Sequence, residues 1–328
     1  MERRVVITGM GAITPVGNDV KSFWNNIKEW KCGIDYIKQI DTSDLRVKIA
    51  GEVKDFNPGE VLGKKESRRL DRFTQFALVA AEEAIKSSEI DLDKIDKNRF
   101  GVYVGAGIGG LSTIESEVKK LAGENKKRIS PFFIPMCIIN LCAGNIAIKY
   151  GAKGPCLSTV TACASGNNNI GEAYRAIKHG YADVMLAGGT EASITESGVG
   201  GFDSIKALNT SNDPNRASIP FDKDRGGFVM GEGSGILLLE SLDSALERGA
   251  KILGEIVGYG SNCDAYHITA PEPEGLGAAA AIELALDEGK VNKEEIDYIN
   301  AHGTSTELND LGETLAIKKV FGEGAYNI

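Results

Sequence analysis

A repeat at one fixed spacing constrains this chain more than any other feature. Glu82, Ala84, Ile85, Ile90, Ile95 and Asp96 are matched by Glu283, Ala285, Leu286, Val291, Ile296 and Asp297, at a constant offset of 201. Matched apolar and acidic positions at a single spacing mark an internal duplication, so the fold has to accommodate two related halves. Within the first copy, Leu70, Phe73, Ala77, Ala80, Ala81, Ala84 and Ile85 recur at steps of three and four, which predicts a helix with one buried stripe. A second such helix is predicted over 276–288. Short Val- and Ile-rich runs bounded by Gly or polar residues predict strands at 4–8, 100–104, 157–162, 183–187, 235–240, 253–259 and 297–301. Apolar runs of this kind belong to sheets covered on both faces, so the fold class is α/β. Adding the offset to the segment around Cys163 places its counterpart beyond Ile328. The second half is therefore expected to stop early and to leave an open sheet edge.

The composition excludes several classes of function. With 328 residues, 42% of them apolar, the chain has ample material for a core and is neither disordered nor a small disulfide scaffold. Its net charge of −9 repels phosphate backbones, so nucleic acid is not an expected partner. No apolar run approaches the roughly 20 residues needed to span a bilayer, and the start lacks a signal-type apolar segment. A cytoplasmic protein without a membrane partner is expected. The six cysteines form no CxxC pair and only three histidines are present, so zinc-type spacing is missing and no metal site is expected.

Chemistry is best concentrated at Cys163. The segment CLSTVTACASGNNNIGEAYRAIKHG reads as a buried strand, a sharp turn at Cys163, and a helix from about 164 to 178 closed by Gly180. A sulfur at a helix N-terminus meets free N–H groups and the positive end of the dipole, which favours thiolate. The small neighbours Ala162, Ala164, Ser165 and Gly166 let a thioester carbonyl approach backbone amides. A nucleophilic cysteine needs a basic partner, and His302 is the candidate, at the end of the predicted strand in IDYINAHGTSTELND. His179 and His267 read as surface residues. The run GAGIGG, with Gly105, Gly107 and Gly110, satisfies G-x-G-x-x-G after a strand, yet no second strand ending in an acidic residue follows at the required distance. GMGAITPVG and FVMGEGSG lack nucleotide spacing as well. Structural turns are the simpler reading of all three.

At VITGMGAITPVG, TACASG, PFDKDRGGFVMGEGSG and AHGTSTELND the chain resembles the β-ketoacyl-acyl-carrier-protein synthases, most closely those of the synthase II type. The resemblance implies a thiolase-like fold of two βαβαβαββ halves in an α/β/α/β/α layered arrangement. On this chain the halves are expected at 1–250, carrying the nucleophile, and at 251–328, carrying the histidine and incomplete. The implied reaction is a decarboxylative Claisen condensation of fatty-acid elongation, in which Cys163 accepts the acyl group and His302 steadies the enolate formed from malonyl-carrier protein. Thr304 and Thr306 match threonines that hold the phosphopantetheine arm. Ile108, Phe133 and Phe202 match the lining of the acyl pocket. Lys64, Lys65, Arg68 and Arg69, with Lys206, match a patch that docks the acidic acyl-carrier protein. A homodimer is implied, and no cofactor beyond the phosphopantetheine that arrives on the carrier.

Several positions depart from the family pattern. Asn168 stands where many relatives have histidine, Ile219 replaces the arginine of Arg-Pro-Phe-Asp, and Gly226 replaces the aspartate of Arg-Asp-Gly-Phe. The second histidine, a Lys-Ser-x-x-Gly-His motif and a Gly-Phe loop would follow Ile328, so impaired decarboxylation is expected of this chain. The competing readings are a non-condensing acyl-binding or partner protein of the same fold and a polyketide ketosynthase.

Overall fold

The computed structural model describes residues 3–122 and 128–328. They form two compact units. The first comprises Met1–Asp41, Ala50–Gly200 and Met230–Ile256, and the second Thr42–Ile49, Gly201–Val229 and Val257–Ile328.

The first unit is built on a six-stranded mixed sheet. Its spatial order is Cys156–Leu157, Phe100–Gly105, Val184–Glu191, Gly233–Ser241, Val5–Ile13 and Gly254–Ile256. The first three strands run parallel to one another and the remaining pairings are antiparallel. Side chains alternate across this sheet as the period of two requires. Phe100, Val102, Val184, Leu186, Ile236 and Leu238 share one core with the helix Arg72–Ser88. Tyr103, Met185, Ala187 and Leu239 point the other way and are equally buried, on the side covered by the helix Ser165–Lys178. The predicted stripe from Leu70 to Ala84 is buried throughout.

The glycines at Gly9 and Gly11 admit that first helix. They pair with Leu238 and Ile236 on its face of the sheet, and a Cβ at either position would lie 2.1 and 1.8 Å from the carbonyl oxygens of Ala84 and Ala80. Only a bare backbone permits this approach. The GMG run is thus a helix-to-strand seam and not a turn.

The second unit repeats the arrangement. Its helices Leu276–Gly289 and Glu307–Phe321 pack around Ala279, Ala316, Val320 and Phe321. A Cβ on Gly258 would lie 2.1 Å from the Ala285 carbonyl oxygen, and one on Gly260 1.9 Å from that of Ala281. Ala281 and Ala285 are the repeat counterparts of Ala80 and Ala84, so the duplication extends to backbone contact.

Three strand expectations need correction. The segment 157–162 forms a ladder only at Cys156–Leu157, because the Asn169 side chain then takes both backbone groups of Thr159, at 2.8 and 3.2 Å. The 253–259 segment is a strand only over Gly254–Ile256. The 297–301 segment belongs to no strand among the described residues, so His302 follows an irregular segment. A strand exists by hydrogen bonds to a neighbour, which a single run of apolar residues does not disclose. Among the described residues no helix is long and apolar enough to cross a membrane.

Candidate active site

In the first unit, chemistry gathers around an elbow. The chain leaves the short strand Cys156–Leu157, makes a single 3-10 turn over Ala162–Ala164 and enters the 14-residue helix Ser165–Lys178. Ala162 takes up a left-handed backbone at φ 50°, which costs an alanine roughly 1–2 kcal/mol. The turn is therefore held by its surroundings. Ser165 Oγ accepts the Thr161 N–H at 2.9 Å and donates to the Ala162 carbonyl at 2.8 Å. Thr161 Oγ1 donates to Asn168 Oδ1 at 2.5 Å, and the fully buried Asn169 bonds Thr159 and the Ser165 carbonyl. Cys163 stands on this elbow, exposed, two residues ahead of the helix.

The glycines of GAGIGG make room for the elbow. A Cβ on Gly107 would lie 2.9 Å from the Ala162 carbonyl oxygen, and one on Gly105 would lie 2.8 Å from Asn169 Nδ2. A Cβ on Gly110 would meet Cys137 Cα at 2.6 Å. Only Gly109, at φ 82°, is glycine for its backbone conformation. The run serves close packing and supplies no phosphate cradle. Glu191, at the end of the strand Val184–Glu191, holds the loop in place by accepting the N–H groups of Ile108 at 2.7 Å and Gly109 at 3.2 Å.

In the second unit, the HGTST loop is clamped from two sides. Glu313 accepts the N–H groups of His302 at 2.7 Å and Gly303 at 2.9 Å. The buried Ser305, left-handed at φ 66°, accepts the Ile219 N–H through Oγ at 2.7 Å and the Gly227 N–H through its carbonyl at 2.9 Å. Arg225 donates to the carbonyls of Thr306, Glu307 and Asp222. Thr304 and Thr306 share a hydroxyl hydrogen bond of 2.8 Å, and Thr306 also caps the helix Glu307–Phe321. The segment containing PFDKDRGG is accordingly the cradle of the HGTST loop. His302 itself is exposed.

The remaining candidates divide between the units. Ile108 is 40% exposed, and the glycines after it abut the end of the short helix Phe133–Cys137, which begins with Phe133. Lys64 and Lys65 open the short helix Lys64–Ser67, followed by Arg68 and Arg69, all four exposed, with the Arg69 guanidinium 4.8 Å above the Phe132 ring. In the second unit Phe202 stacks edge-on against Phe228 at 5.2 Å. Lys206 and Thr306 line one open groove of about 410 Å³, with Ile205, Gly226, Thr269 and Leu308. Among the described residues no group of His, Cys, Asp and Glu is arranged to hold a metal ion.

Residues 2–245 match the model of the beta-ketoacyl synthase N-terminal domain, and residues 253–328 that of its C-terminal domain. The chain belongs to the β-ketoacyl synthase family. It is 51% identical to 3-oxoacyl-[acyl-carrier-protein] synthase 2 of Staphylococcus aureus strain COL, over 99% of this chain and 79% of that protein. Among solved structures it resembles a β-ketoacyl synthase from Burkholderia phymatum STM815, with TM-score 0.90, 34% identity, and coverage of 98% of this chain and 79% of the other. It also resembles a type II polyketide ketosynthase solved in complex with its acyl-carrier protein, with TM-score 0.89, 35% identity, and coverage of 100% and 80%. The fold is the thiolase-like α/β fold of these synthases.

Sequence reasoning about this β-ketoacyl synthase missed Glu191, Arg225, Glu313 and Asp310, whose buried carboxylate accepts the Phe221 N–H. Asp310 and Glu313 carry a usable signal, because acids three apart in the first turns of a helix share one face and can both receive N–H groups from a preceding loop. Glu191 gives no such signal, because its partners lie far away in sequence.

Proposed function

We propose that this β-ketoacyl synthase catalyses the condensation step of fatty-acid elongation through Cys163 and His302. The observation that carries this reading is the exposed thiol on a left-handed elbow at the mouth of a long helix. Cys163 Sγ attacks the thioester carbonyl of an acyl-carrier protein. The carrier thiol leaves with the proton, and the acyl group remains on sulfur. Malonyl-carrier protein then loses carbon dioxide, and its enolate carbon attacks the acyl-Cys163 carbonyl. The Cys163 thiolate leaves, and a β-ketoacyl chain two carbons longer departs on the carrier. His302, with its backbone fixed by Glu313, steadies the enolate oxygen. Thr304 and Thr306 hold the phosphopantetheine arm, a role supported by the groove that Thr306 shares with Lys206.

Ile108, Phe133 and Phe202 line the acyl pocket in this reading. The carrier protein, acidic and bearing acyl or malonyl groups, docks on Lys64, Lys65, Arg68, Arg69 and Lys206, whose exposed positive charge suits it. The halves divide at about residue 250, and two copies associate. The edge strand Cys156–Leu157, with Leu157 57% and Val160 50% exposed, offers unpaired backbone and apolar surface for a second copy. The reaction needs no resident cofactor. The 51% identity to an acyl-carrier-protein synthase, against 35% to a polyketide ketosynthase, favours elongation.

The test is a condensation assay with purified chain, acyl-carrier protein and malonyl-carrier protein, scoring acyl-Cys163 by mass and β-ketoacyl product separately. Acylation of the parent chain and none of Cys163→Ala is expected. Absence of acylation, or acylation of the Cys163→Ala variant, overturns the reading. Acylation of Cys163 without β-ketoacyl product would overturn the condensing step and leave only acyl transfer.

A further inference from the structure

We propose that Glu191 is a positioning residue that sets the acyl-chain selectivity of this synthase through the backbone of Ile108. Its carboxylate accepts four donors, the N–H groups of Ile108 at 2.7 Å, Gly109 at 3.2 Å and Ala192 at 3.1 Å, and the Ser193 hydroxyl at 2.6 Å. The last two fasten the carboxylate to the rigid end of its own strand. The first two transmit that rigidity to the Gly-rich loop at Ile108 and Gly109, beyond the last residue of the strand Phe100–Gly105. An ionised acceptor binds peptide N–H groups about twice as strongly as a neutral one, and two such bonds to adjacent residues fix the plane of the peptide between them. The direction of the Ile108 side chain follows from that plane.

The same loop is fixed at its far end by a second acid. Asp71, 2% exposed, accepts the Thr113 N–H at 3.1 Å and the hydroxyls of Ser112 at 2.9 Å and Thr113 at 2.5 Å. Asp71 therefore anchors the helix that follows the loop, and Glu191 anchors the stretch that carries Ile108. On the other side, Gly107 lies against Ala162, the residue before Cys163. Glu191, Ile108, Gly107 and Ala162 thus form one continuous path to the nucleophile. A loosened tether would let Ile108 swing and blur the limit that it places on an acyl chain without removing the thiol. The inference rests on the reading that Ile108 lines the acyl pocket.

Acyl transfer onto Cys163 is measured with short, medium and long saturated acyl donors for the parent chain, Glu191→Gln, Glu191→Ala and Ile108→Ala, alongside hydrogen exchange of the 108–109 amides. Ile108→Ala should raise the ratio of long to short donors. Glu191→Ala should shift that ratio in the same direction, by about tenfold at most, the equivalent of one strong hydrogen bond. It should also speed exchange at 108–109, with Glu191→Gln intermediate in both. An unchanged ratio in Ile108→Ala, or no acylation of the parent, defeats the pocket reading itself. A shifted ratio in Ile108→Ala with an unshifted ratio in the Glu191 variants overturns the role of Glu191, as does an equal loss for all donors. If Glu191→Ala fails to fold, Glu191→Gln decides by the same ratio.

Discussion

The buried carboxylate of Asp310 accepts the backbone N–H of Phe221 at 2.7 Å, tying the start of one helix to a left-handed residue 89 positions earlier. Arg225 lies 3.5 Å from the same oxygen and is itself only 18% exposed. Removing the acid leaves the Phe221 N–H without its acceptor and the Arg225 guanidinium, still bonded to three carbonyls, without its counter-charge, under the loop that carries His302. Asp310→Ala is expected to cost about 3 kcal/mol, the range for breaking a buried ion pair from one side. Urea unfolding measures it, and a midpoint equal to that of the parent would show that the clamp contributes nothing.

The cysteines should separate cleanly by reactivity. Burial pushes the Cys142 thiol far above its ordinary value and raises Cys156 and Cys137 as well. A raised thiol pKa lowers the thiolate fraction at pH 7, and thiolate is the species that reacts. Iodoacetamide at pH 7, followed residue by residue with mass spectrometry, should label Cys163 first and Cys142 only after unfolding. Labelling of Cys163 no faster than the exposed Cys32 and Cys263 would remove the case for activation by the helix.

Acid should weaken the first unit through Asp183. The Arg99 guanidinium, donating to Asp183, holds that carboxyl below the ordinary value of 3.8 against the opposing effect of burial, and Arg3 at 2.7 Å adds to it. A carboxyl that titrates lower when folded contributes stability above its unfolded pKa and loses it as pH falls through the folded value. Asp183→Asn should therefore lower Tm at pH 7 and have little effect well below pH 3.8. Equal losses at both pH values would contradict this.

Alanine at Gly9 or at Gly258 should be severely destabilising, because each new Cβ meets a helix carbonyl oxygen at 2.1 Å. A loss of about 3 kcal/mol is expected from such overpacking. Gly235→Ala, in a strand where nothing lies within 4 Å of the added carbon, is the control and should stay within about 0.5 kcal/mol. Thermal denaturation of the three variants compares them directly, and a Gly9→Ala protein as stable as the Gly235→Ala control would dismiss the seam.

What could be read in advance depended on how local each signal was. The helices Arg72–Ser88, Ser165–Lys178 and Leu276–Gly289 were legible because their periodicity and end signals lie within a few turns of chain. Strand extents were not, since a ladder depends on a partner remote in sequence. The turn at Cys163 was legible from its small residues, but its cause was hidden. The left-handed Ala162 is tolerated because Gly107, more than fifty positions earlier, leaves space for it. The GAGIGG run looked like turn chemistry, whereas three of its four glycines answer to neighbours brought in by tertiary packing. For the same reason Glu191, far in sequence from Ile108, gave no sign of its partners, whereas Glu313, close to His302, carried one.

The twin seams at Gly9 with Gly11 and at Gly258 with Gly260 bear on descent. The repeat counterpart of His302 is Gly101, so the copies do not carry matching reactive groups at that position. Besides the matched helix positions, the copies hold in common a place where four side chains are missing. Kinship between the halves is therefore written in steric exclusion and not in reactive groups. A search for remote relatives of this architecture would do well to look for paired glycines facing an alanine-spaced helix before looking for a nucleophile.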